Sequence, residues 1–426
     1  MPSSVTFDAV FDQAEAGLGV YIERILLFLF IVLVPFQDSI LLHTPIASAL
    51  SIVPLMLLLT FAVGRWILET APAVNRSVFC VGLYVFLICA IHLFDGGVSL
   101  QEWLPLIRYL LLTILVLFAT FGLDYSQVLS LRTALYAAFV FTVVGAILDI
   151  IFGRGFMGSL HITPAMLDRP RGFSSEASTL SVQIVCSGML TAHFLLRKWM
   201  KWMVALVTCG LLIASGSKGG LIALLLCVLV MATARSMSSS LLKILIWCVT
   251  IPVVYFGSFL LMSRFTMIVE SNETSTIATR LSMSVYAILT LAHHPLGVGF
   301  TGFFPSIPRY LPTAMDFVQS FFPFPLWFYE VRTYLSPPYA EADCKTFFFD
   351  FLVFFGIPFA IVFIRFTYRL LARLLQQRCY WLFVGTLFAV VALFTYYSTI
   401  KVYAIPLLFG ISLHEIRKRE TLIRMQ

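Results

Sequence analysis

Long apolar runs restrict what this sequence can fold into more than any other feature. Many of them approach about 20 residues, the length at which a helix crosses the hydrocarbon core of a bilayer. The chain as a whole is 60% hydrophobic and 12% charged, and its mean hydropathy is +0.96. These values exclude an ordinary soluble domain. We therefore expect an all-α polytopic membrane protein in which residues 1–426 form a single membrane domain.

Hydropathy windows of about 19 residues pick out about twelve candidate membrane spans. They are 25–42, 46–64, 78–94, 103–121, 132–152, 176–196, 202–215, 219–234, 242–262, 345–364, 380–398 and 402–414. Residues 1–24 lack the basic region and the cleavage site of a signal peptide, so we expect the first run to stay as an anchor. Most Lys and Arg residues fall on one side if both termini are cytoplasmic, and this asymmetry predicts that orientation.

Cysteine placement and net charge exclude other classes of protein. Nearly all of the eight cysteines lie inside or beside apolar runs, without the spacing of a disulfide framework or a zinc site. The net charge of +7 comes mostly from the short inner segments. It is therefore a topology signal, and we expect no nucleic acid partner.

One outer segment, residues 263–344, is too long for an ordinary connection. Apolar residues at helical spacing predict a helix over 279–292, too short to span and therefore either interfacial or re-entrant. Arg280 lies on its polar face. His294 follows in a proline-glycine turn, as either a helix-end partner or a proton acceptor. The aromatic and proline-rich remainder is either a belt on the membrane or a platform for sugar rings or a lipid tail.

A dense polar stretch, residues 169–178, stands directly before the span 176–196. We expect Ser174 or Ser175 to cap that helix. Arg171 would then lie beside the free N–H groups of the first turn, and a guanidinium at a helix amino terminus is suited to phosphate oxygens. Glu176 either interacts with the helix dipole or acts as a base or as a partner of Arg171.

Three further charges lie at or near the outer ends of spans. Lys218 follows a glycine-rich turn and either binds an anion or extends toward the interface. Arg108, inside the span 103–121, is either functional or placed to reach the interface. Asp350 is positioned to pair with a cation or to serve as a base. No aspartate cluster accompanies these residues in the sequence, so we expect no metal.

Three motifs together resemble the O-antigen ligase and polymerase superfamily of bacterial envelope glycan assembly. They are Arg171-Gly-Phe-Ser-Ser-Glu-Ala-Ser178, Ser215-Gly-Ser-Lys-Gly-Gly220, and Arg280 followed by His294-Pro-Leu-Gly-Val-Gly299. The resemblance covers residues 150–366. It implies a bacterial inner-membrane protein with about twelve spans and a large periplasmic loop between the ninth and tenth. It also implies similarity to C-type glycosyltransferases that work without a metal or other cofactor.

The same resemblance implies the partners and the roles of the charged residues. Undecaprenyl-diphosphate-linked glycans would be the substrates, membrane lipid would surround the protein, and a chain-length regulator is a further candidate partner. Arg171 and Arg280 would hold the diphosphate, assisted by Arg108 or Lys218. Glu176 or Asp350 would orient or deprotonate the acceptor hydroxyl.

One departure from the ligase pattern and one likeness to polymerases favour a Wzy-type polymerase of O-antigen or exopolysaccharide. Ligases of this superfamily carry a His-Asn pair at a set distance before a glycine, whereas Lys345 and Thr346 stand at that distance before Gly356. Glu176-Ala-Ser178 also resembles the Glu-Pro-Ser of polymerases. An O-antigen ligase that transfers glycan to lipid A-core is the first alternative. A transporter or flippase for lipid-linked glycans is the second, although the cations cluster at one face and no internal repeat is evident.

Overall fold

The computed structural model describes residues 18–36, 83–92, 132–158, 169–174, 176–236, 271–323, 325–336, 343–397 and 403–425. Every regular element within these ranges is helical, and none of them contains a strand. The candidate spans 46–64, 103–121 and 242–262, and Arg108 with them, lie outside the described residues. The expected all-α class is therefore confirmed over the described part of the chain.

Eleven α-helices have defined bounds in the described part of the chain. In order they are α1 (Leu18–Leu33), α2 (Arg132–Gly158), α3 (Ala177–Phe194), α4 (Lys198–Ala214), α5 (Lys218–Ser236), α6 (Ser271–His293), α7 (Gly299–Ser320), α8 (Tyr329–Thr333), α9 (Phe347–Gln376), α10 (Tyr380–Thr395) and α11 (Ala404–Met425). A 3-10 turn, Val34–Phe36, follows α1, and residues 83–92 form a further helical segment between α1 and α2.

Two of these helices are long and apolar enough to cross a membrane. They are α2 over Arg132–Phe152 and α9 over its whole length, and shorter apolar helices accompany them. Large apolar side chains are exposed on their outer faces, among them Phe141, Ile151 and Ile361. An extensive exposed apolar surface is unfavourable in water. The helical architecture and these apolar faces fit a membrane protein.

Two helices, α3 and α10, lie at the centre of the bundle. Almost every residue of α3 is buried, including the polar residues Ser181, Gln183 and Thr191. Helices α2, α4, α5, α10 and α11 all pack against it. Buried polar groups need internal partners, and Gln183 Oε1 accepts a hydrogen bond of 2.7 Å from Ser174 Oγ. The polar stretch before α3 is thus tied directly to the core.

A helical hairpin of α6 and α7 packs against α9. The helix expected at 279–292 lies inside α6, which begins earlier, at Ser271. The second arm, α7, was not expected, because it contains Pro305, Pro308 and Pro312 and each proline removes a backbone donor. Its buried stripe of Phe303, Ile307, Leu311, Ala314 and Val318 explains why a helix forms there.

The turn between the hairpin arms docks on a break in α9. The break is at Gly356, with φ 60° and ψ −151°, a conformation open essentially to glycine alone. The freed amide of Ile357 donates to the carbonyl of Pro295 at 2.8 Å, and the amide of Val298 donates to the carbonyl of Val353 at 2.9 Å. The His294–Gly299 motif therefore joins the hairpin to α9.

Candidate functional site at one end of the helix bundle

The turn that carries Arg171 is held by a carboxylate from the preceding helix. Asp149 Oδ2, in α2, accepts hydrogen bonds from the backbone N–H groups of Arg171 at 2.6 Å and Gly172 at 3.0 Å. Gly172 has a φ of 56°, the left-handed region that favours glycine, and the ring of Phe173 covers Gly145 of α2. These contacts fix the turn just before α3 begins.

Arg171 is largely enclosed by the protein, with 6% of its surface exposed. Burial lowers the pKa of its guanidinium, and the negative charge of Asp149 opposes that change. An arginine stays charged in such surroundings, because its ordinary pKa lies far above neutrality. Arg171 is therefore a fixed cation in a partly dehydrated environment, where charge interactions are stronger than in water.

The start of α3 differs from the expected serine cap. Glu176 is the N-cap residue, and no side chain caps the helix. Ser174 lies two positions before the cap, and its hydroxyl donates to Gln183 instead. Ser175 lies outside the described residues. Glu176 is exposed and accepts a hydrogen bond of 2.9 Å from Ser178 Oγ. The carboxylate that meets the Arg171 turn is that of Asp149.

The glycine-rich turn before α5 lies beside the Arg171 turn. Gly216 has a φ of 62°, Ser217 Oγ accepts a hydrogen bond of 3.3 Å from Gly220 N, and Lys218 is the first residue of α5. A Cβ atom at Gly216 would lie 3.7 Å from Cδ of Arg169. The side chain of Arg169, two positions before Arg171, therefore packs against this turn.

Two tyrosines at the end of α10 join three helix beginnings. The hydroxyl of Tyr396 is 3.2 Å from Oγ of Ser181 in α3. Its ring packs so closely on Gly219 of α5 that a Cβ there would lie 2.8 Å from Cγ of Tyr396. The next carbonyl, of Tyr397, accepts a hydrogen bond of 2.8 Å from Phe347 N at the start of α9. We call the end of the bundle at Tyr396 and Tyr397 the site end.

Arg280 belongs to a charged cluster just before α9. Its Nη1 lies 3.4 Å from the backbone carbonyl of Lys345. The ammonium of Lys345 lies 3.1 Å from Glu330 Oε1 and 3.2 Å from Asp343 Oδ1, and 5.2 Å from the centre of the Tyr334 ring. We call these five residues, Arg280, Glu330, Tyr334, Asp343 and Lys345, the Lys345 network.

Both central members of the Lys345 network are charged at neutral pH. Burial alone would lower the pKa of Lys345, but Asp343, Tyr334 and Glu330 outweigh it and raise that pKa above its ordinary value. Burial alone would raise the pKa of Glu330. The charge of Lys345 and the hydrogen bonds that Glu330 accepts outweigh burial, so the pKa of Glu330 lies below its ordinary value. Lys345 is therefore a fixed cation and a poor proton acceptor.

Asp350 holds the segment that precedes its own helix. It lies in the first turn of α9 with 1% of its surface exposed. Its Oδ1 accepts a hydrogen bond of 2.7 Å from the backbone N–H of Cys344. Because Lys345 follows Cys344 directly, Asp350 helps to set the position of the Lys345 network.

His294 lies far from Arg280 although both belong to one sequence motif. They flank opposite ends of the apolar part of α6, about 21 Å apart at the rise of an α-helix. His294 Nε2 is 3.1 Å from the hydroxyl oxygen of Tyr310. The centre of the His294 ring lies 5.5 Å from the centre of the His92 ring. The structure therefore does not bring His294 into the Lys345 network. The described residues hold no cluster of metal-ligating side chains.

Four residues at the site end were missed by the sequence reasoning: Asp149, Arg169, Glu330 and Asp343. A signal existed for Asp149, since a charge inside a candidate span is a functional hypothesis by default. Arg169 lies in the polar stretch before α3, where the sequence alone indicates only a charged residue of an outer segment. Glu330 and Asp343 carry no signal of their own, because only folding of the long outer segment brings them to Lys345.

The fold and this site define an all-helical, membrane-type protein with charged turns gathered at one end of its bundle. No known family model matches the chain. The chain is similar to a protein of Klebsiella pneumoniae described as an uncharacterized 49.5 kDa protein in cps region. The two are 28% identical over 357 residues, which cover 81% of each chain.

Proposed function

We propose that this protein is a membrane glycosyltransferase of polysaccharide biosynthesis, a polymerase of undecaprenyl-diphosphate-linked repeat units. The observation that carries the proposal is the meeting of three helix beginnings at Tyr396 and Tyr397. Arg171 and Lys345 lie in the segments before two of these helices, and Lys218 is the first residue of the third. The Klebsiella relative supports it, because cps denotes capsule polysaccharide. The resemblance of the three motifs to glycan ligases and polymerases supports the same class.

The proposed reaction exchanges one carbon–oxygen bond for another. A hydroxyl of the next lipid-linked unit attacks the anomeric carbon of the growing glycan. The bond from that carbon to undecaprenyl diphosphate breaks, and the diphosphate leaves with the electron pair. The hydroxyl proton passes to a base. Fixed cations in a dehydrated site stabilise the charge that develops on the leaving diphosphate.

Arg171 and Arg280 are the proposed diphosphate ligands. Each guanidinium offers a planar pair of donors that matches two phosphate oxygens. Lys218 would add positive charge at the amino terminus of α5. Lys345 would do so from the Lys345 network, where its ammonium is held between two carboxylates.

Of the two candidate bases, Glu176 is the better placed. Its carboxylate is exposed at the N-cap of α3, close in sequence to Arg171. Asp350 is buried and bound to the amide of Cys344, so a substrate hydroxyl could reach it only after that hydrogen bond is broken. A general base must lie within hydrogen-bond reach of the proton it takes. We therefore assign Asp350 a structural part and Glu176 the contact with the acceptor.

Lys345 favours polymerase over ligase. It stands where the ligases of the resembling superfamily carry a histidine, a residue that exchanges protons near neutral pH. Its pKa is raised by Asp343, Tyr334 and Glu330 against the effect of burial. Proton exchange at this position is therefore unfavourable, whereas a role for its charge beside the diphosphate is not.

Purified full-length protein given lipid-linked repeat units tests the proposal. We expect a ladder of products on the gel. Arg171→Lys and Arg280→Lys keep the charge but lose the paired donors, so each should lower the rate by about 100-fold without preventing membrane insertion. Exposed Arg309→Lys, in α7, is the matched control and should change the rate little. Undiminished ladders from both variants would remove the diphosphate role. Lack of any ladder with units that the host polymerises would remove the proposed function.

A further inference from the structure

We infer that Glu330 is a positioning residue that holds Arg280 in place. It does so through two neighbours of Arg280, Thr279 and Lys345. The inference rests on the proposed function of Arg280 as a diphosphate ligand. On one side, Glu330 Oε2 accepts a hydrogen bond of 3.0 Å from Oγ1 of Thr279, the residue directly before Arg280. On the other side, Glu330 Oε1 pairs with Lys345, whose carbonyl faces Arg280 Nη1.

The contact between the carbonyl of Lys345 and Arg280 depends on the side chain of Lys345, because that side chain holds an unusual backbone conformation. The φ of Lys345 is 59°, a left-handed conformation that is uncommon for a residue with a side chain. Such a conformation persists where the surroundings over-determine it. Here the ammonium is held by Glu330 and Asp343. Those two pairs fix the direction of the carbonyl that faces Arg280.

Glu330 is itself fixed by contacts from two other parts of the chain and from the end of its own short helix. Thr279 reaches it from α6, Lys345 reaches it from the segment before α9, and Tyr334 donates a hydrogen bond of 2.9 Å to its Oε1. It lies in the short helix α8, within the long segment between α7 and α9. The carboxylate therefore links this segment to Arg280. Without it, the guanidinium would keep its charge and lose its direction.

The test measures diphosphate binding rather than turnover. Full-length protein in detergent is titrated calorimetrically with farnesyl diphosphate, a soluble polyprenyl diphosphate. We expect Glu330→Gln, which keeps the shape and removes the charge, to weaken binding about tenfold, and Arg280→Lys to weaken it by at least as much. Glu420→Gln removes an ion pair with Arg373 elsewhere in the chain and is the matched control, with unchanged binding.

The double variant separates positioning from general stabilisation. If Glu330 acts through Arg280, Glu330→Gln in the Arg280→Lys background has no further effect, because coupled residues are not additive. Multiplied effects of the two changes would overturn the inference, as would unchanged binding in Glu330→Gln. Should Glu330→Gln fail to fold, Thr279→Val removes only the contact on the other side, and its unchanged affinity would also overturn it.

The same titration distinguishes this inference from the proposed function. Wild-type binding that falls in Arg280→Lys and not in Glu330→Gln would overturn the role of Glu330 alone. Farnesyl diphosphate that does not bind wild type, or binds Arg280→Lys with wild-type affinity, would remove the diphosphate role of Arg280 and the inference with it.

Discussion

At the scale of single residues, Asp149 has the clearest structural part at the site end. One oxygen of its carboxylate accepts two backbone amides of the Arg171 turn. Backbone donors that lose their partner away from water keep the full cost of dehydration. The position of Arg171 therefore depends on a carboxylate 22 positions earlier in the chain.

Replacing Asp149 should both destabilise the protein and misplace Arg171. For Asp149→Ala we expect a loss of about 1–3 kcal/mol in the free energy of unfolding and a clear loss of the proposed transferase activity. Asp149→Asn keeps an acceptor oxygen and should lose less of both. Thermal unfolding in detergent and the ladder assay measure the two effects. Asp316→Ala, an exposed position in α7, is the control. Equal stability of Asp149→Ala and wild type would contradict the assigned role.

Sequence reasoning reached Arg171 because its signal is local. A guanidinium placed directly before an apolar run marks a helix amino terminus whatever the tertiary structure is. Asp149 binds the Arg171 turn 22 positions later in the chain. Glu330 pairs with Lys345, 15 positions later. No periodic pattern reports such pairings. The sequence therefore predicts which helix beginnings carry charge and not which carboxylates hold them.

At the scale of elements, the hairpin of α6 and α7 is attached to α9 through backbone groups. The hydroxyl of Tyr84, in the helical segment 83–92, lies 2.7 Å from the carbonyl oxygen of Leu296 and 2.9 Å from that of Phe355, and its single hydrogen is shared between them. The turn, the break in α9 and the segment 83–92 thus form one junction. Gly356, at the centre of this junction, permits both the positive φ of the break and the close approach of the Pro295 carbonyl.

An alanine at Gly356 should break this junction. Its φ of 60° is strained for any other residue, and the added Cβ would collide with the carbonyl of Pro295. We expect Gly356→Ala to cost about 1–3 kcal/mol or more of folding free energy. Gly210→Ala, in α4 with no atom within 4 Å of the new Cβ, should instead stabilise by about 0.5–1 kcal/mol. Thermal midpoints of the two variants give the comparison. Equal midpoints would show that the break is dispensable.

The elements themselves were predictable to different degrees. Most of the helices, among them α2, α3, α5 and α9, overlap candidate spans, because apolar runs of that length have few other solutions in a bilayer. Helix α7 was missed because Pro305, Pro308 and Pro312 oppose a helix locally, whereas burial against α6 favours one. This burial depends on the tertiary packing of α7 against α6, and the sequence alone indicates it only in part.

At the scale of the whole molecule, the charges separate between the two ends of the bundle. Opposite the site end, His193 Nε2 lies 3.7 Å from Glu415, Lys201 Nζ lies 3.5 Å from the carbonyl of His193, and Arg419 donates to the carbonyl of Gln377 at 2.7 Å. Among the residues that the structure describes, Lys201 and Arg419, which the positive-inside rule assigns to the cytoplasm, lie at this end. The site end would then face the periplasm.

Site-specific labelling tests this orientation. In a variant without native cysteines, a membrane-impermeant maleimide applied to spheroplasts should label Ser336→Cys and leave Thr421→Cys unlabelled until the membrane is opened. Both positions are exposed in the structure, so access to the reagent depends on the membrane alone. The reverse labelling pattern would invert the topology and place the site end in the cytoplasm.

The choice between polymerase and ligase is decided by what accumulates when the protein is absent. A polymerase joins lipid-linked units to each other, so its loss leaves single units that a separate ligase still transfers. A ligase acts after polymerisation, so its loss leaves long glycan on undecaprenyl diphosphate.

Because Lys345 is held as a cation where ligases carry a histidine, we expect a deletion strain to transfer single repeat units to the final acceptor and to make no long chains. Electrophoresis of the surface glycan and of the lipid-linked pool measures both. Long lipid-linked polymer that never reaches its acceptor would identify a ligase and remove Lys345 as the discriminating residue.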